Sequence, residues 1–190
     1  MNSDAVRDTL SALTSPLLAI TSVHDGRANG QIAVAGLSGS ILPEAPRILV
    51  ALWKANLTHD LILASRVLAV HLLPSAPDDT LRASLDILHT LGMRSGRDSD
   101  KLAMLSWRPG VTGAPILLDA LTYVEGRVVT TLDGGEMTVF LADIVAGDRL
   151  RNGDPLAWRQ ARQLVPSAWL AEFDANQQRQ RIEARQRRGL

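Results

Sequence analysis

Residues 17–37 read LLAITSVHDGRANGQIAVAGL, and this stretch decides the fold. An apolar run, Leu17 to Val23, is followed by two turn signals, Asp25-Gly26 and Asn29-Gly30, and then by a second run, Gln31 to Leu37. Strand-forming segments on either side of Asp-Gly or Asn-Gly turns are typical of a β-hairpin. The sequence therefore predicts that two antiparallel strands open the domain.

More strand-like segments follow along the chain, at residues 48–53, 67–73, 116–118, 120–131 and 138–145. Asp133-Gly134-Gly135 lies between the last two and is a second hairpin signal. Most neighbouring segments are joined by links too short for a parallel crossover, so the sheet is predicted to be mainly antiparallel. Strands at this density, with few helices between them, favour a closed barrel.

Helical patterns are fewer. Thr58 is predicted to be the N-cap of a short helix that follows the 48–53 strand. Leucines recur at helical spacing from Thr80 to Leu91, and Gly92 is expected to close that helix. A brief helix is expected around residues 101–105. The fold class is therefore mainly β with short peripheral helices.

Composition sets limits on function. The 190 residues contain 20 basic and 20 acidic side chains and no cysteine. One globular domain is expected at this length, and a disulfide framework, a thiolate zinc site and a cysteine nucleophile are excluded. No apolar run reaches the 18 or so residues that cross a bilayer, and the first residues lack a basic region followed by an apolar one. A cytoplasmic location is the expectation.

The C-terminal part differs from the rest of the chain. Residues 151–190 carry 8 arginines and 4 acids, whereas residues 1–150 carry 12 basic and 16 acidic groups. Residues 161–190 are predicted to form a polar, arginine-rich helical extension, whose apolar residues at the start, Trp169, Leu170 and Phe173, attach it to the barrel. The arginine-rich remainder is either solvated, in contact with the acidic body of a partner subunit, or a nucleic-acid contact, which the neutral total charge disfavours.

The stretch Trp53-Lys54-Ala55-Asn56-Leu57-Thr58-His59-Asp60 is the first candidate site. A strand there runs directly into a helix N-terminus, where free backbone N–H groups, a lysine, an amide and a hydroxyl could bind a phosphate. A purely structural interpretation is that Thr58 caps its helix with no ligand. Among the four histidines only His59, beside this stretch, is a functional candidate, and His71 is expected to be a core residue.

Two further stretches are weaker candidates. The small residues from Gln31 to Ser40 would let a flat ligand approach the backbone, or would simply pack closely. The segment Ser95-Gly96-Arg97-Asp98, with Lys101, is either an anion-binding loop or a solvated turn. No P-loop, Rossmann glycine pattern, HExxH helix or GxSxG elbow occurs, so nucleotide hydrolases, zinc proteases and serine hydrolases have no support.

Taken in order, these fragments resemble the flavin reductase-like family. They are Asn29-Gly30 with the strand that follows, Lys54 to Ile62, and Ser95 to Leu102, supported by Gly113 to Leu117, Val124 to Val128 and Phe140 to Val145. The resemblance covers about residues 10–160 and implies the FMN-binding split barrel, an antiparallel barrel, over residues 1–160.

The resemblance also implies a function. Family members hold FMN, or in some cases FAD, at a homodimer interface, and many reduce it with NADH or NADPH, often to supply an oxygenase. Metal, membrane and nucleic-acid functions are not expected, and catalytic residues are not assigned. The cofactor-binding residues that the resemblance implies are Asn29, Ala35, Gly36, Leu37, Ser38, Gly39, Ser40, Trp53, Lys54, Asn56 and Thr58, with Arg97 and Lys101 as phosphate partners.

The sequence departs from the family pattern in three regions. Hydroxyl residues usual after Asn29-Gly30 are replaced by Ile32, Val34 and Ala35, so phosphate contacts would move to backbone amides and serines. Some reductases carry a histidine near the nicotinamide where this chain has Glu136-Met137, and a strand glycine is replaced by Ala142. A non-catalytic FMN-binding or electron-carrier protein is therefore the alternative to a reductase.

Overall fold

The computed structural model describes residues 16–76 and 78–189, together with Thr9 and Leu13. This part of the chain forms nine strands and four helices. The strands are β1 (Leu18–His24), β2 (Arg27–Ala33), β3 (Gly36–Ser38), β4 (Arg47–Trp53), β5 (Val67–Leu72), β6 (Trp107–Pro109), β7 (Pro115–Leu117), β8 (Thr122–Asp133) and β9 (Met137–Arg149). The helices are α1 (Leu57–Ser65), α2 (Asp78–Gly92), α3 (Trp158–Leu164) and α4 (Ser167–Arg188).

Seven strands form one sheet in the order β2-β1-β5-β8-β9-β4-β3, and every pairing in it is antiparallel. Strands β6 and β7 form a separate ribbon. The two edge strands, β2 and β3, are neighbours in sequence, with only Val34 and Ala35 between them. This link brings the edges together, and a Cβ at Gly36 would overlap the Leu18 side chain. The sheet therefore curls into a half-barrel.

The predicted antiparallel sheet is confirmed, but the closed barrel expected from strand density is wrong. The sheet is split, because β2 pairs with β1 and the three-residue β3 pairs with β4. Among the described ladders none joins β2 to β3. The split-barrel form implied by the family resemblance is the one observed.

Strand alternation creates two cores. Leu18 and Ile20 point into the barrel, where the fully buried Phe140 lies, and Leu17 and Ala19 point outward. The outer core lies under α2, α3 and the start of α4, and contains Leu73, Leu88, Leu91, Ala161 and Val165. The buried Ala161 belongs to α3, so this helix crosses the boundary predicted at residue 160 and packs with the barrel.

The opening hairpin is confirmed, with one correction. Asp25 and Gly26, at φ 47° and 75°, form its turn, and His24 pairs with Arg27. Asn29 and Gly30, predicted as a second turn, lie inside β2 opposite Ser22 and Thr21. One two-residue turn already reverses the chain, so β2 begins four residues before the predicted Gln31.

Two helix predictions also need correction. Asn56, not Thr58, is the N-cap of α1, and no side chain there bonds to the helix backbone. Thr58 lies in the first turn, fully buried. Residues 101–105 form turns rather than a helix, with the Leu102 N–H bonded to Asp100. In the described residues, no helix is both long and apolar enough to cross a membrane.

Candidate functional site

Two adjoining cavities lie along the split side of the barrel, between β2, the end of β4 and α4. Their volumes are about 90 and 270 Å³. Seven residues line both, so we treat the two as one cleft: Gln31, Ile32, Trp53, Asn56, Gly92, Phe173 and Gln177. Its larger part is bordered mainly by apolar side chains, which suits a planar ring.

Five of the predicted cofactor-binding residues line the cleft: Asn29, Ala35, Trp53, Asn56 and Lys101. Asn29 is placed by alternation, since it and Gln31 lie on the same side of β2 as Ala33 and point towards the barrel interior. Its Nδ2 donates to Thr58 Oγ1 at 2.9 Å. Thr58 itself lines neither cavity, so it fixes Asn29 from behind.

Lys101 occupies an unexpected position. Its side chain is buried, and its Nζ donates to the backbone carbonyls of Leu91, at 2.8 Å, and Arg94, at 3.3 Å. These carbonyls lie at and just beyond the C-terminal end of α2, where a cation is favourable. Burial lowers the pKa of Lys101 to about 8. The lysine therefore closes α2 while it lines the cleft.

A third cavity of about 350 Å³ lies beside the first turns of α1, and we call it the cationic pocket. It contains Lys54 and Arg97 from the predicted set, with Arg187 from α4. Lys54 Nζ binds Asp133 Oδ1 at 2.6 Å, and Arg97 binds Asp60 Oδ2 at 2.7 Å. Two of the three cations are thus paired.

The acidic side chains and the histidine of this pocket take part in hydrogen bonds that affect the pKa values of the acids. His59 is buried, with Nδ1 3.0 Å from Asp60 Oδ1 and Nε2 2.9 Å from Thr138 Oγ1. Partial burial alone would raise the pKa of Asp60, but hydrogen bonds from His59 and Arg97 hold it below its usual value. The hydrogen bond from Lys54 lowers the pKa of Asp133. Both acids therefore stay ionised at neutral pH.

The remaining predicted residues, Gly36 to Ser40, lie on β3 and the segment after it. None lines the three cavities described above. Leu37 is 65% exposed, and Ser38 Oγ donates to the carbonyl of Ser40. The structure thus divides the predicted set among the cleft, the cationic pocket and this exposed edge.

Sequence reasoning missed the contribution of α4. Phe173, Asn176, Gln177 and Gln180 line the cleft, and Gln180 Nε2 donates to Asn56 Oδ1 at 3.0 Å. Arg188 lies 3.7 Å from Glu136 of the same chain.

The first turns of α4 dock on the barrel as predicted, since Trp169, Leu170 and Phe173 pack on the outer core. The polar remainder contacts its own barrel in this structure, where a partner subunit was expected. The only signal was the spacing of glutamines 177 and 180, which puts them on one helix face.

Comparison with known proteins agrees with this architecture. Residues 10–165 match a protein-family model described as "Flavin reductase like domain". A high molecular weight rubredoxin of Moorella thermoacetica is 30% identical over 82% of this chain and 65% of its own length, so the chain spans just under two thirds of that relative.

Two other relatives are reductases by name. An FMN reductase (NADH), RutF 2, of Rhizobium rhizogenes is 29% identical over 74% of this chain and 75% of its own length. The reductase component of 4-nitrophenol 4-monooxygenase/4-nitrocatechol 2-monooxygenase of Rhodococcus opacus is 29% identical over 82% and 77%.

The fold is shared with solved structures. A flavin reductase domain protein from Arthrobacter sp. FB24 superposes with a TM-score of 0.69, at 18% identity over 83% of this chain and 91% of that one. This likeness agrees with the family match over residues 10–165, and that match shows that the protein belongs to the flavin reductase-like family.

Proposed function

We propose that this protein is a flavin reductase that transfers a hydride from NADH or NADPH to FMN, or alternatively FAD, bound in the cleft. The observation that carries the proposal is the cleft itself. It lies at the split of a barrel of this family and combines apolar walls, including Trp53 and Phe173, with several side-chain amides. The relatives named as reductases support the reaction.

The residues present fit a flavin. Gln31 is 4% exposed, and among the described residues its Oε1 has no hydrogen-bond partner although it borders both parts of the cleft. A buried polar atom of this kind is costly unless a ligand or water satisfies it. When bound, the isoalloxazine ring would accept the hydride. The protein would supply position: Trp53 and Phe173 hold the ring, and the amides orient its polar edge.

The flavin phosphate belongs in the cationic pocket. Lys54 directly follows Trp53, the last residue of β4, so the end of this strand reaches both the cleft and this pocket. Lys54 and Arg97 would bind the phosphate directly, whereas Thr58 would act on the cleft, through Asn29. The predicted contacts of Gly36 to Ser40 would then require a larger ligand or a second subunit.

Exposed apolar side chains on β3 and the segment after it support a homodimer. Ile41 is 96% exposed, Leu37 65% and Leu42 51%, all within six residues of one another beside the end of the cleft at Ala35. Apolar side chains this exposed and this close together mark an interaction surface. We infer that a second copy covers them. An oxygenase that receives the reduced flavin is the further partner proposed, in the cytoplasm.

The test is oxidation of NADH and of NADPH, followed at 340 nm with FMN, FAD or no flavin. Turnover is expected only with flavin added or retained. Flavin binding without oxidation of either nucleotide would contradict the reductase and favour the electron-carrier alternative, which the replacement of the family histidine by Glu136-Met137 keeps open. A protein that binds no flavin would contradict both.

A further inference from the structure

Helix α4 lies beyond the residues that match the family, which end at 165. It nevertheless forms one wall of the cleft through Phe173, Gln177 and Gln180. Its start is anchored by the Trp169 ring, stacked on His89 at 4.0 Å between centroids. Its middle is anchored by Asn176, which donates to the Met93 carbonyl. The wall is therefore fixed in place by one contact before the cleft residues and by another between Phe173 and Gln177.

Three glutamines line the cleft, Gln31 from β2 and Gln177 and Gln180 from α4, and together they offer a set of hydrogen-bonding groups. Gln31 Oε1 is an unpartnered acceptor within the described structure. Gln177 Oε1 accepts from Arg181 at 3.2 Å, which leaves the Nε2 group of Gln177 as its donor. Gln180 presents its Nε2 group too, now directed at Asn56 Oδ1. The set offers one acceptor and two donors.

We propose that Gln177 and Gln180 of α4 are specificity-determining residues that, with Gln31, recognise the imide edge of the bound ring. An imide presents a carbonyl, an N–H and a second carbonyl in a row. That order is complementary to two amide donors and one amide acceptor. The inference rests on the proposed flavin site and adds to it a recognition element that the family match does not contain.

The probe is FMN compared with its N3-methyl derivative, which lacks the imide N–H and keeps the phosphate and ring. Full-length wild-type protein should bind FMN at least about 10-fold more tightly, since one hydrogen bond is lost and an acceptor stays unsatisfied. Gln31→Leu should abolish that preference. Gln177→Leu and Gln180→Leu should each lower the affinity for FMN about 3- to 10-fold, and the affinity for the methyl derivative by a similar factor, because both flavins keep the two imide carbonyls.

Gln178→Leu is the matched control, because this glutamine lies on the same helix, is exposed and lines neither part of the cleft. It should keep the wild-type preference. If Gln31→Leu fails to fold, Gln31→Met replaces it. The proposal is overturned if wild-type protein binds both flavins equally, or if the α4 variants bind FMN as tightly as wild-type protein does. Failure of wild-type protein to bind either flavin would instead overturn the proposed function.

Discussion

At the residue scale, His71 shows how a polar side chain is accommodated in the core. It is fully buried, its Nδ1 donates to the Ala19 carbonyl at 2.9 Å, and its Nε2 accepts from the Leu117 N–H at 3.1 Å. These two bonds require the neutral ring, because Nε2 must be unprotonated to accept. Burial lowers the pKa of His71 to about 4, and the Ala19 carbonyl opposes that shift only in part.

The low pKa predicts acid sensitivity. Between pH 6.5 and about 4 the unfolded state binds a proton that the folded state excludes, so the free energy of unfolding should fall as pH falls through this range. His71→Gln should cost about 1 to 3 kcal/mol at pH 7.5 and should flatten this pH dependence. Urea denaturation at pH 7.5 and 5 measures both. His24→Gln, at the hairpin end, is the control and should keep the wild-type slope; an unchanged slope in the His71 variant would contradict the assignment.

Lys54 permits a second prediction at this scale. Its ammonium is shared between Asp133 and the phosphate that we propose. Lys54→Met should weaken FMN binding about 10- to 100-fold and leave riboflavin, which has no phosphate, almost unchanged. Asp133→Asn should tighten FMN binding by releasing the ammonium.

Isothermal titration with the two flavins measures these effects. Arg47→Met is the control, since Arg47 begins β4, the strand that precedes Lys54, and pairs with Asp143, outside the three cavities. Equal losses of FMN and riboflavin in the Lys54 variant would show a structural role only.

At the element scale, the β1–β2 turn has a simple energetic basis. Gly26 adopts φ 75°, and a Cβ there would meet no atom within 4 Å. Gly26→Ala should therefore destabilise the fold by about 1 kcal/mol through backbone conformation alone. Asp25→Asn, at φ 47°, should be nearly neutral because asparagine tolerates this conformation. Thermal unfolding of both variants checks this, and equal losses would contradict it.

Elements with strong local patterns were predictable from sequence. The Asp25-Gly26 and Asp133-Gly134-Gly135 turns, the leucine spacing of α2 and the apolar 48–53 strand all correspond to observed elements. The turn predicted at Asn29-Gly30 was wrong because pairing with β1 and the hydrogen bond from Asn29 to Thr58 override the local turn tendency. Strand β6, three exposed residues, and helix α3 carry no pattern that distinguishes them from loops.

At the scale of the whole molecule, the cleft depends on tertiary contacts that no local pattern reveals. Trp53, Lys54 and Asn56 were found from one continuous stretch at a strand-to-helix junction. Gln177 and Gln180 lie more than 120 residues away along the chain, as the Gln180–Asn56 bond shows. Lys101 was predicted as a phosphate partner from the family resemblance, and only the fold shows that it binds the end of α2.

Two truncations separate the structural and ligand-binding parts of α4. A chain that ends at Val165 loses Trp169, Leu170 and Phe173, which pack partly buried against the outer core, and each should contribute a part of the roughly 1.5 to 3 kcal/mol that a fully buried large side chain supplies. A chain that ends at Asn176 keeps them and should stay close to full-length stability. Urea denaturation compares the two, and similar stability of both chains would show that the apolar start of α4 contributes nothing.

The pairing of β4 with β9 also has a kinetic consequence. It joins residues as far apart as Arg47 and Asp143, 96 positions along the chain. Such non-local contacts form only after a large loop has closed, which costs conformational entropy before any contact energy is gained. Domains rich in them fold in milliseconds to seconds. Trp53 pairs with Met137 at the end of this same ladder. The cleft therefore depends on the pairing with the largest sequence separation in the sheet, and a newly made chain cannot bind the flavin that we propose until much of β9 has been synthesised.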